Sequence, residues 1–388
     1  MTTRHPRRRD GLILLLLLLL LPGLFLFVVL VLSIDRGRRD TAELRNAGVS
    51  ASLAAAAELA SDDLLTADAN RLDPLLTAGR KSAKEIAGMN KAGGKAVSLA
   101  DADVVFGYST QGFGGTFTPL NPTGPSPDWS HLNAVQVTTR LAANADKSTR
   151  VTAMFDTAVT GFRPTMTRSV PMVPFALYDG PTDATPPNVT SWSKALAGGT
   201  DQYQYTTATG PASGMDGLRE VVVVIGSPTD PTSPPVVPTY VLNIGATESK
   251  DVTLAQVGLG VRPADLSEPS FGGEFSLLPD TMTKPVVGTS GALDGRLQDV
   301  ADAFGTVIGQ KRVWPLFAEV GDDGRPVVNG FVAARLLKVE YVSGGSAVRL
   351  TLQEAVLATP TAVTRPAPVT GSRLPPAQKS VGKVRLAG

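Results

Sequence analysis

The stretch LILLLLLLLLPGLFLFVVLVL, residues 12–32, decides how this chain is organised. It contains 21 residues and no charge. A helix of that length measures roughly 31 Å, which matches the hydrocarbon thickness of a lipid bilayer. The segment therefore predicts a transmembrane helix at residues 11–34, preceded by a basic tail at residues 1–10.

The flanks of this segment bear on cleavage and on orientation. A cleaved signal peptide has a shorter apolar run, about 7–15 residues, followed by a small-residue cleavage site. Here the run leads into Ser33, Ile34 and Asp35, a poor cleavage site, so we favour an uncleaved signal-anchor over the alternative of a cleaved signal peptide. Four arginines precede the span and three follow it, which gives a weak bias toward a cytoplasmic N-terminus.

Residues 35–70 have the composition of a helical stalk. A pattern with intervals of three and four residues runs through Glu43, Leu44, Ala47, Ala51, Ala54, Ala55 and Leu59. The four alanines at 54–57 allow another helix to approach closely. Alanine also propagates a helix without any partner, so both interpretations stay open.

Beyond residue 100 the pattern changes from helical to short β-branched runs, separated by turns rich in Pro, Gly, Ser and Thr. The runs lie at 103–108, 134–141, 150–155, 172–178, 220–225, 239–244, 331–341 and 347–352, and one amphipathic helix is expected at 293–308. We predict an α+β, β-rich fold, with β-sandwich-like or α+β modules at 100–180 and 200–358. The basic, Pro-rich tail at 359–388 is predicted to be disordered.

The overall composition excludes several classes of protein. The 388 residues include no cysteine and only two histidines, which excludes disulfides, thiolate metal sites, a thiol nucleophile and a multi-histidine zinc site. Lys and Arg number 36 against 35 Asp and Glu, and the net charge of +1 argues against a nucleic-acid-binding protein.

Motifs that could carry catalysis are weak. Ser130 and His131 lie near Asp128, but adjacent side chains cannot easily form the hydrogen bond that a catalytic triad requires. The sequence Asp322-Asp323-Gly324 is typical of a hairpin turn, because the later oxygen ligands of a calcium loop are missing. We therefore assign no catalytic residue and no cofactor-binding residue.

The residues after the span form a recognisable pattern. It comprises Asp35, Gly37, Glu43, Leu44, Arg45, Asn46, Ala47, Ala51, Leu53 and Ala54, and it continues through the β-rich stretches 103–108, 115–119 and 133–140. Together with the basic tail and the leucine-rich span, this pattern resembles the N-terminal region of TadG-like proteins, which belong to the bacterial Tad machinery that builds Flp-type pili. The chain departs from it at Val49, Ser50 and Ser52, where the family has an aspartate and alanines.

The resemblance raises two further questions. Some TadG relatives carry a von Willebrand A domain, whose Asp-x-Ser-x-Ser loop binds a divalent cation. Asp156 follows an apolar strand as that loop does, but Ala158 stands where a hydroxyl is needed, so we predict no metal ligand. Pilins carry a processing site with a glutamate fifth after a glycine, whereas here the fifth residue after Gly11 is Leu16, so a processed pilus subunit is not expected.

The sequence thus predicts a non-enzymatic, single-pass protein of a bacterial cytoplasmic (inner) membrane, with its bulk extracytoplasmic. The resemblance implies a structural or accessory component of a Tad/Flp-type pilus or cell-envelope assembly system. Its expected partners are the lipid bilayer and other Tad pilus-assembly or envelope proteins, with no nucleic acid and no cofactor. The alternative is an envelope adhesin-like binding protein unrelated to pili, and an enzyme acting through a pair of carboxylates is a third interpretation.

Overall fold

The computed structural model describes residues 10–66, 69–109, 116–120, 131–141, 144–181, 189–226, 236–245, 249–267, 271–277, 293, 295–321, 326–342, 347–364 and 380–387. Its helices are α1 (Asp10–Glu58), α2 (Asp63–Thr66), α3 (Ala69–Met89), α4 (Trp192–Gly198), α5 (Lys250–Leu259) and α6 (Leu297–Gly305). Its strands are β1 (Lys91–Ala92), β2 (Lys95–Ala96), β3 (Val104–Ser109), β4 (Phe117–Pro119), β5 (Ala134–Leu141), β6 (Asn144–Asp156), β7 (Val159–Phe162), β8 (Phe175–Tyr178), β9 (Tyr203–Thr206), β10 (Gly210–Ser213), β11 (Glu220–Gly226), β12 (Val237–Val241), β13 (Phe275–Ser276), β14 (Lys311–Val320), β15 (Pro326–Tyr341), β16 (Ala347–Glu354), β17 (Leu357–Ala358), β18 (Ala362–Thr364) and β19 (Val381–Leu386).

The chain is a mixed α+β structure with a long apolar N-terminal helix and a β-rich remainder, as the sequence predicts. Helix α1 contains 49 residues and continues through Pro22 without interruption. At 1.5 Å per residue it is about 74 Å long, far longer than a bilayer core requires. Residues 35–58 of the predicted stalk therefore continue the predicted transmembrane segment in one helix, which ends at Glu58 and not at residue 70.

The second part of α1, residues 35–58, is helical as predicted for the stalk, and it is packed into a domain. Its small-residue face is fully buried, from Leu44 through Ala47, Ala51 and Ala55 to Leu59. These side chains pack against α3 and against β5 and β6. Small residues let the helix approach closely, so the alanines form the core of a domain.

This first domain, which we call the membrane-proximal domain because the predicted transmembrane segment leads into it, is a six-stranded sheet, ordered β17-β19-β6-β5-β3-β4, covered by α1 and α3. Helix α3 packs closely on β3 at Gly79, where an added Cβ would lie 2.9 Å from the ring of Phe106, and the same Cβ would lie 3.5 Å from the carbonyl oxygen of Ala55 in α1. The sequence pattern had left open whether the alanine-rich segment has a helical partner. That partner is α3.

The second domain is built on a closed six-stranded barrel, ordered β11-β12-β8-β14-β15-β16. The pairs β11–β12 and β8–β14 are parallel, and the other neighbours are antiparallel. One face of all six strands joins α6 in a single apolar core, where Phe304 stacks on Trp314 with ring centroids 5.7 Å apart. The sandwich variant of the predicted fold is not confirmed by these strands.

The opposite face of the barrel packs against a small three-stranded sheet, ordered β13-β7-β18. Phe162 of β7 meets Phe331 of β15 edge to face, with ring centroids 4.8 Å apart, and Phe275 of β13 completes the cluster. This aromatic contact fixes the small sheet on the barrel.

Two predicted segment boundaries, at residues 180 and 359, differ from those in the structure. The first module was predicted to end at residue 180, but β7 belongs to the small sheet and β8 belongs to the barrel. The tail at 359–388 was predicted to be disordered, and this is wrong for β18 and β19, because β18 pairs with β7 and β19 pairs with β6. Ladder hydrogen bonds compensate there for the scarcity of bulky apolar side chains. Residues 365–379 of that tail and the basic tail at 1–9 lie outside the described residues.

Candidate functional site

The most distinctive surface of the protein is the first part of α1. Every side chain from residue 18 to residue 36 is exposed, including leucines, phenylalanines and valines on all sides of the helix. Within the described residues, Leu18–Glu58 is a helix long and apolar enough to cross a membrane, with a mean hydropathy of 2.6 in its most apolar window, which is not buried at all. A helix that is apolar all round needs an apolar surrounding, and the other described residues do not cover this part of α1.

The change from exposed to buried helix takes about two turns. Asp35 and Arg39 form an ion pair at 3.3 Å on the solvent side, and Leu44 is the first fully buried residue. Glu43 lies between them, and its Oε2 accepts a hydrogen bond from the backbone N–H of Gly93 at 2.9 Å. The polar segment between the two apolar parts of α1 is therefore short.

A second constellation lies at the far end of α1, in the loop that leads to α2. The carboxylate of Asp62 accepts hydrogen bonds from Lys311 Nζ at 2.7 Å, from Arg335 at 2.6 Å and from the backbone N–H of Val356 at 2.6 Å. The side chains of Asp62 and Arg335 are 17% and 8% exposed. We call these four residues the Asp62 joint, because they connect the membrane-proximal domain to strands β14 and β15 of the barrel.

Arg335 has a further partner on the barrel side. Its guanidinium lies over the ring of Tyr205 of the β9–β10 hairpin, 3.8 Å from the ring centroid, which is a cation–π contact. Its Nε is buried and makes no hydrogen bond in the described part of the chain. The guanidinium is thus held by one carboxylate and one aromatic ring.

Carboxylates also fix the segment around the β9–β10 hairpin on the barrel. Glu220 is buried and accepts hydrogen bonds from the backbone N–H groups of Gln202 and Tyr203 at 2.8 and 3.1 Å. Burial raises the pKa of Glu220 above its ordinary value of 4.5, and these two hydrogen bonds oppose the rise in part. Asp216 accepts hydrogen bonds from the buried amide of Gln353 at 3.1 and 3.2 Å. Glu220 and Asp216 thus hold neighbouring segments of the chain in place through hydrogen bonds.

A surface groove beside α3 contains charged residues that satisfy one another. Lys84 pairs with Asp101 at 2.7 Å, and Lys81 lies 3.9 Å from Glu85. The hydrogen bond and charge of Lys84 lower the pKa of Asp101. The groove is open and has both signs of charge, so it offers no clear preference for a charged ligand.

The motifs that the sequence analysis considered as sites are dispersed. Asp156 is buried and pairs with Arg385 of β19 at 2.7 Å, and its other oxygen accepts the N–H of Ala158, so it acts as a structural carboxylate. His131 packs against Tyr108 with ring centroids 5.6 Å apart. Asp128, Ser130 and the residues 322–324 lie outside the described residues, although β14 and β15 pair as the two arms of a hairpin on either side of 322–324.

Sequence reasoning missed the Asp62 joint. Asp62 carries no local motif, and its barrel partners lie 249 to 294 residues later in the chain. A Ser-Asp-Asp sequence after an alanine-rich helix is typical of a solvated turn. The only local signal was the end of the helical pattern itself.

Comparison with known proteins adds no relative. No protein-family model, no curated protein and no solved structure matches this chain. The resemblance to TadG-like proteins therefore depends on the sequence pattern alone.

Proposed function

We propose that this protein is a non-enzymatic, single-pass membrane protein that serves as a structural or accessory component of a Tad/Flp-type pilus or cell-envelope assembly system. The observation that carries the proposal is α1, whose apolar side chains from Leu18 to Ile34 are exposed and whose second part belongs to the core of the adjacent domain. A continuous helix transmits position and orientation, so a domain built on it is fixed relative to the bilayer. A scaffold that docks other subunits needs this property.

The pattern shared with TadG-like proteins supports the more specific part of the proposal. Its buried members, such as Leu44, Ala47 and Ala51, are explained by packing alone. Arg45 and Asn46 are exposed on α1, so the fold does not demand these residue types at their positions. Arg45 and Asn46 are therefore the residues of the pattern that a partner subunit in the assembly system would contact.

The anchor is tested by membrane extraction. The full-length protein is expected to stay with the membrane fraction in alkaline carbonate and in high salt. Replacing Leu20 and Val28 by arginine places two charges in the span, each opposing insertion by about 2.5–3.5 kcal/mol. We expect that variant to leave the membrane, whereas the matched variant L20A/V28A remains. Extraction of the parent protein by carbonate would refute the anchor.

The pilus assignment is tested in cells. Deletion of the gene is expected to reduce surface filaments, and the intact gene is expected to restore them. Complementation with R45A/N46A should leave the protein in the membrane without restoring filaments, while the control T41A/A42S, at exposed positions of the same helix, should restore them. Loss of adhesion with normal filaments would favour the adhesin-like alternative, and an unchanged phenotype would refute the assembly role.

A further inference from the structure

The base of the membrane-proximal domain, where α1 leaves its exposed apolar part, is ringed by cations from three separate segments. They are Arg36, Arg38 and Arg39 of α1, Lys91 and Lys95 of the β1–β2 hairpin, and Lys147 of β6. All six side chains are exposed. We call this set the basal collar.

The lysines of the collar lie beside α1 although they are distant in sequence. An added Cβ at Gly37 would lie 3.5 Å from the Nζ of Lys147. Strand β6 then runs along the helix, because an added Cβ at Gly48 would lie 3.0 Å from Val151. The end of β6 that carries Lys147 therefore lies toward the exposed apolar part of α1.

The β1–β2 hairpin is fastened to the same level. The N–H of Gly93 donates to Glu43, and an added Cβ at Gly93 would lie 3.3 Å from Leu141 and 3.5 Å from a carboxylate oxygen of Asp40. Gly93 and Gly94 have φ values of +57° and +81°, so both turn positions need the left-handed region that glycine adopts freely. This tight turn holds Lys91 and Lys95 on the two short arms of the hairpin.

The collar lies at the height of lipid headgroups if the apolar part of α1 spans a bilayer. Gly37 follows the last apolar residue, Ile34, by about 4.5 Å along the helix axis, and Asp40 follows it by about 9 Å. The headgroup layer extends roughly 5–8 Å beyond the hydrocarbon core on each side. Lysine and arginine side chains reach several ångströms farther, and electrostatic attraction acts over a Debye length of about 8–10 Å.

The carboxylates on the same base do not cancel the cations. In the same segments they are Asp35, Asp40, Glu43 and Asp146. Asp35 pairs with Arg39, and Glu43 accepts the N–H of Gly93. The six cations of the collar thus outnumber four carboxylates.

We infer that the basal collar is a binding surface for anionic lipid headgroups, and that it seats the membrane-proximal domain on the bilayer. The inference rests on the proposed membrane anchor and deepens it by naming the lipid class that the protein recruits. Each cation close to an anionic surface contributes about a fivefold preference for it. The surface recognises charge, so phosphatidylglycerol is preferred over phosphatidylcholine.

The natural absence of cysteine makes a single-label experiment straightforward. Ser148, exposed and next to Lys147, is replaced by cysteine and labelled with a donor dye in the full-length chain. The protein is reconstituted in bilayers that contain both lipids and a trace of acceptor-labelled lipid, either phosphatidylglycerol or phosphatidylcholine. We expect more energy transfer to the phosphatidylglycerol acceptor, and we expect the difference to vanish near 1 M salt, where the Debye length is about 3 Å.

A charge-reversal variant locates the effect. K91E/K95E/K147E is expected to lose the preference for phosphatidylglycerol. The control K81E/R168E/K194E changes the net charge equally at exposed positions elsewhere, and it is expected to keep the preference. Equal loss in both variants would overturn the collar, because it would assign the effect to net charge.

The outcomes for the anchor and the collar are separable. Reconstituted protein that floats with the bilayers and resists carbonate, yet transfers energy equally to both acceptors, overturns the collar and leaves the anchor intact. Protein that fails to embed in the bilayers overturns both. The salt titration uses the labelled protein with all six cations of the collar in place. It therefore still tests the inference if K91E/K95E/K147E does not fold.

Discussion

Replacing Asp62 by asparagine removes the charge at the centre of the Asp62 joint while it preserves the shape of the side chain. Arg335 is 8% exposed and Lys311 is 25% exposed, so both cations lose their carboxylate in a partly desolvated place. Breaking a fully buried ion pair costs about 3–5 kcal/mol. Because Lys311 and Asp62 retain some solvent contact, we expect D62N to lower the free energy of unfolding of the barrel domain by about 2–3 kcal/mol.

Tryptophan fluorescence measures this effect directly. Two of the three tryptophans, Trp192 and Trp314, are buried in the core of the barrel domain. For a domain of about 200 residues, 1 kcal/mol shifts the melting temperature by about 2–4 °C, so D62N should lower the fluorescence-detected Tm by about 4–12 °C. The protein is measured in detergent or bilayer, so that the apolar part of α1 stays covered.

The adjacent carboxylate supplies the control. Asp63 accepts a hydrogen bond from Ser61 at the start of α2, and D63N changes the same charge without touching the barrel. We expect a change below about 1 kcal/mol for D63N. A double-mutant cycle between D62N and R335M should give a coupling energy above about 1 kcal/mol. Equal shifts for D62N and D63N, or a coupling energy near zero, would refute the joint.

Three further predictions test other contacts. Gly79→Val forces a side chain against a packed aromatic ring and should destabilise the membrane-proximal domain by about 1–3 kcal/mol. Gly88→Ala lies in open space on the same helix and should stabilise the domain by about 0.5–1 kcal/mol. Thermal unfolding measures both effects. Because the folded-state pKa of Glu220 is raised, the protonated form of this side chain favours folding. The free energy of unfolding should therefore fall as the pH rises from about 4.5 through the folded-state pKa. E220Q should reduce this dependence on pH, which urea unfolding at several pH values measures. Arg385→Met leaves the buried carboxylate of Asp156 without a cation and should lower the free energy of unfolding by about 2–4 kcal/mol. The rate of backbone hydrogen exchange in β19 should rise far more in this variant than in Lys383→Met.

Each of these expectations has a contrary result. Equal signs for the two glycine variants would contradict the close helix packing at Gly79. A stability profile that is unchanged by E220Q would mean that burial does not perturb this acid. If the methionine variants at 383 and 385 exchange alike, the ion pair does not hold β19 in place.

The sequence predicts well those elements whose apolar pattern is local. The β-branched run at 220–225 predicts a strand and β11 covers Glu220–Gly226, while the run at 134–141 coincides with β5. The spacing at 293–308 predicts a helix, and α6 occupies its centre, Leu297–Gly305. In each case side chains alternate between faces or recur with the helical period, so a few neighbouring residues decide the element.

Elements whose order depends on distant partners escape such reasoning. Helix α3 places Leu72, Leu76 and Ala83 on a buried face, but Pro74 interrupts the pattern near its start. Strand β19 has mixed charged and small residues and is ordered by pairing with β6, more than 220 residues earlier. The Asp62 joint and the basal collar are likewise assembled from separate segments, so neither can be recognised before the fold is known.

The place of β19 in the first sheet has a consequence for how the protein is made. Strands β3 to β6 leave the ribosome early, but β6 obtains its second neighbour only after the whole barrel and the residues through Leu386 have been synthesised. Until then one edge of β6 offers unpaired backbone groups, a template for wrong strand pairing. The first sheet therefore keeps an open edge at β6 until Leu386 has been made, and during that interval the edge is open to pairing with other chains.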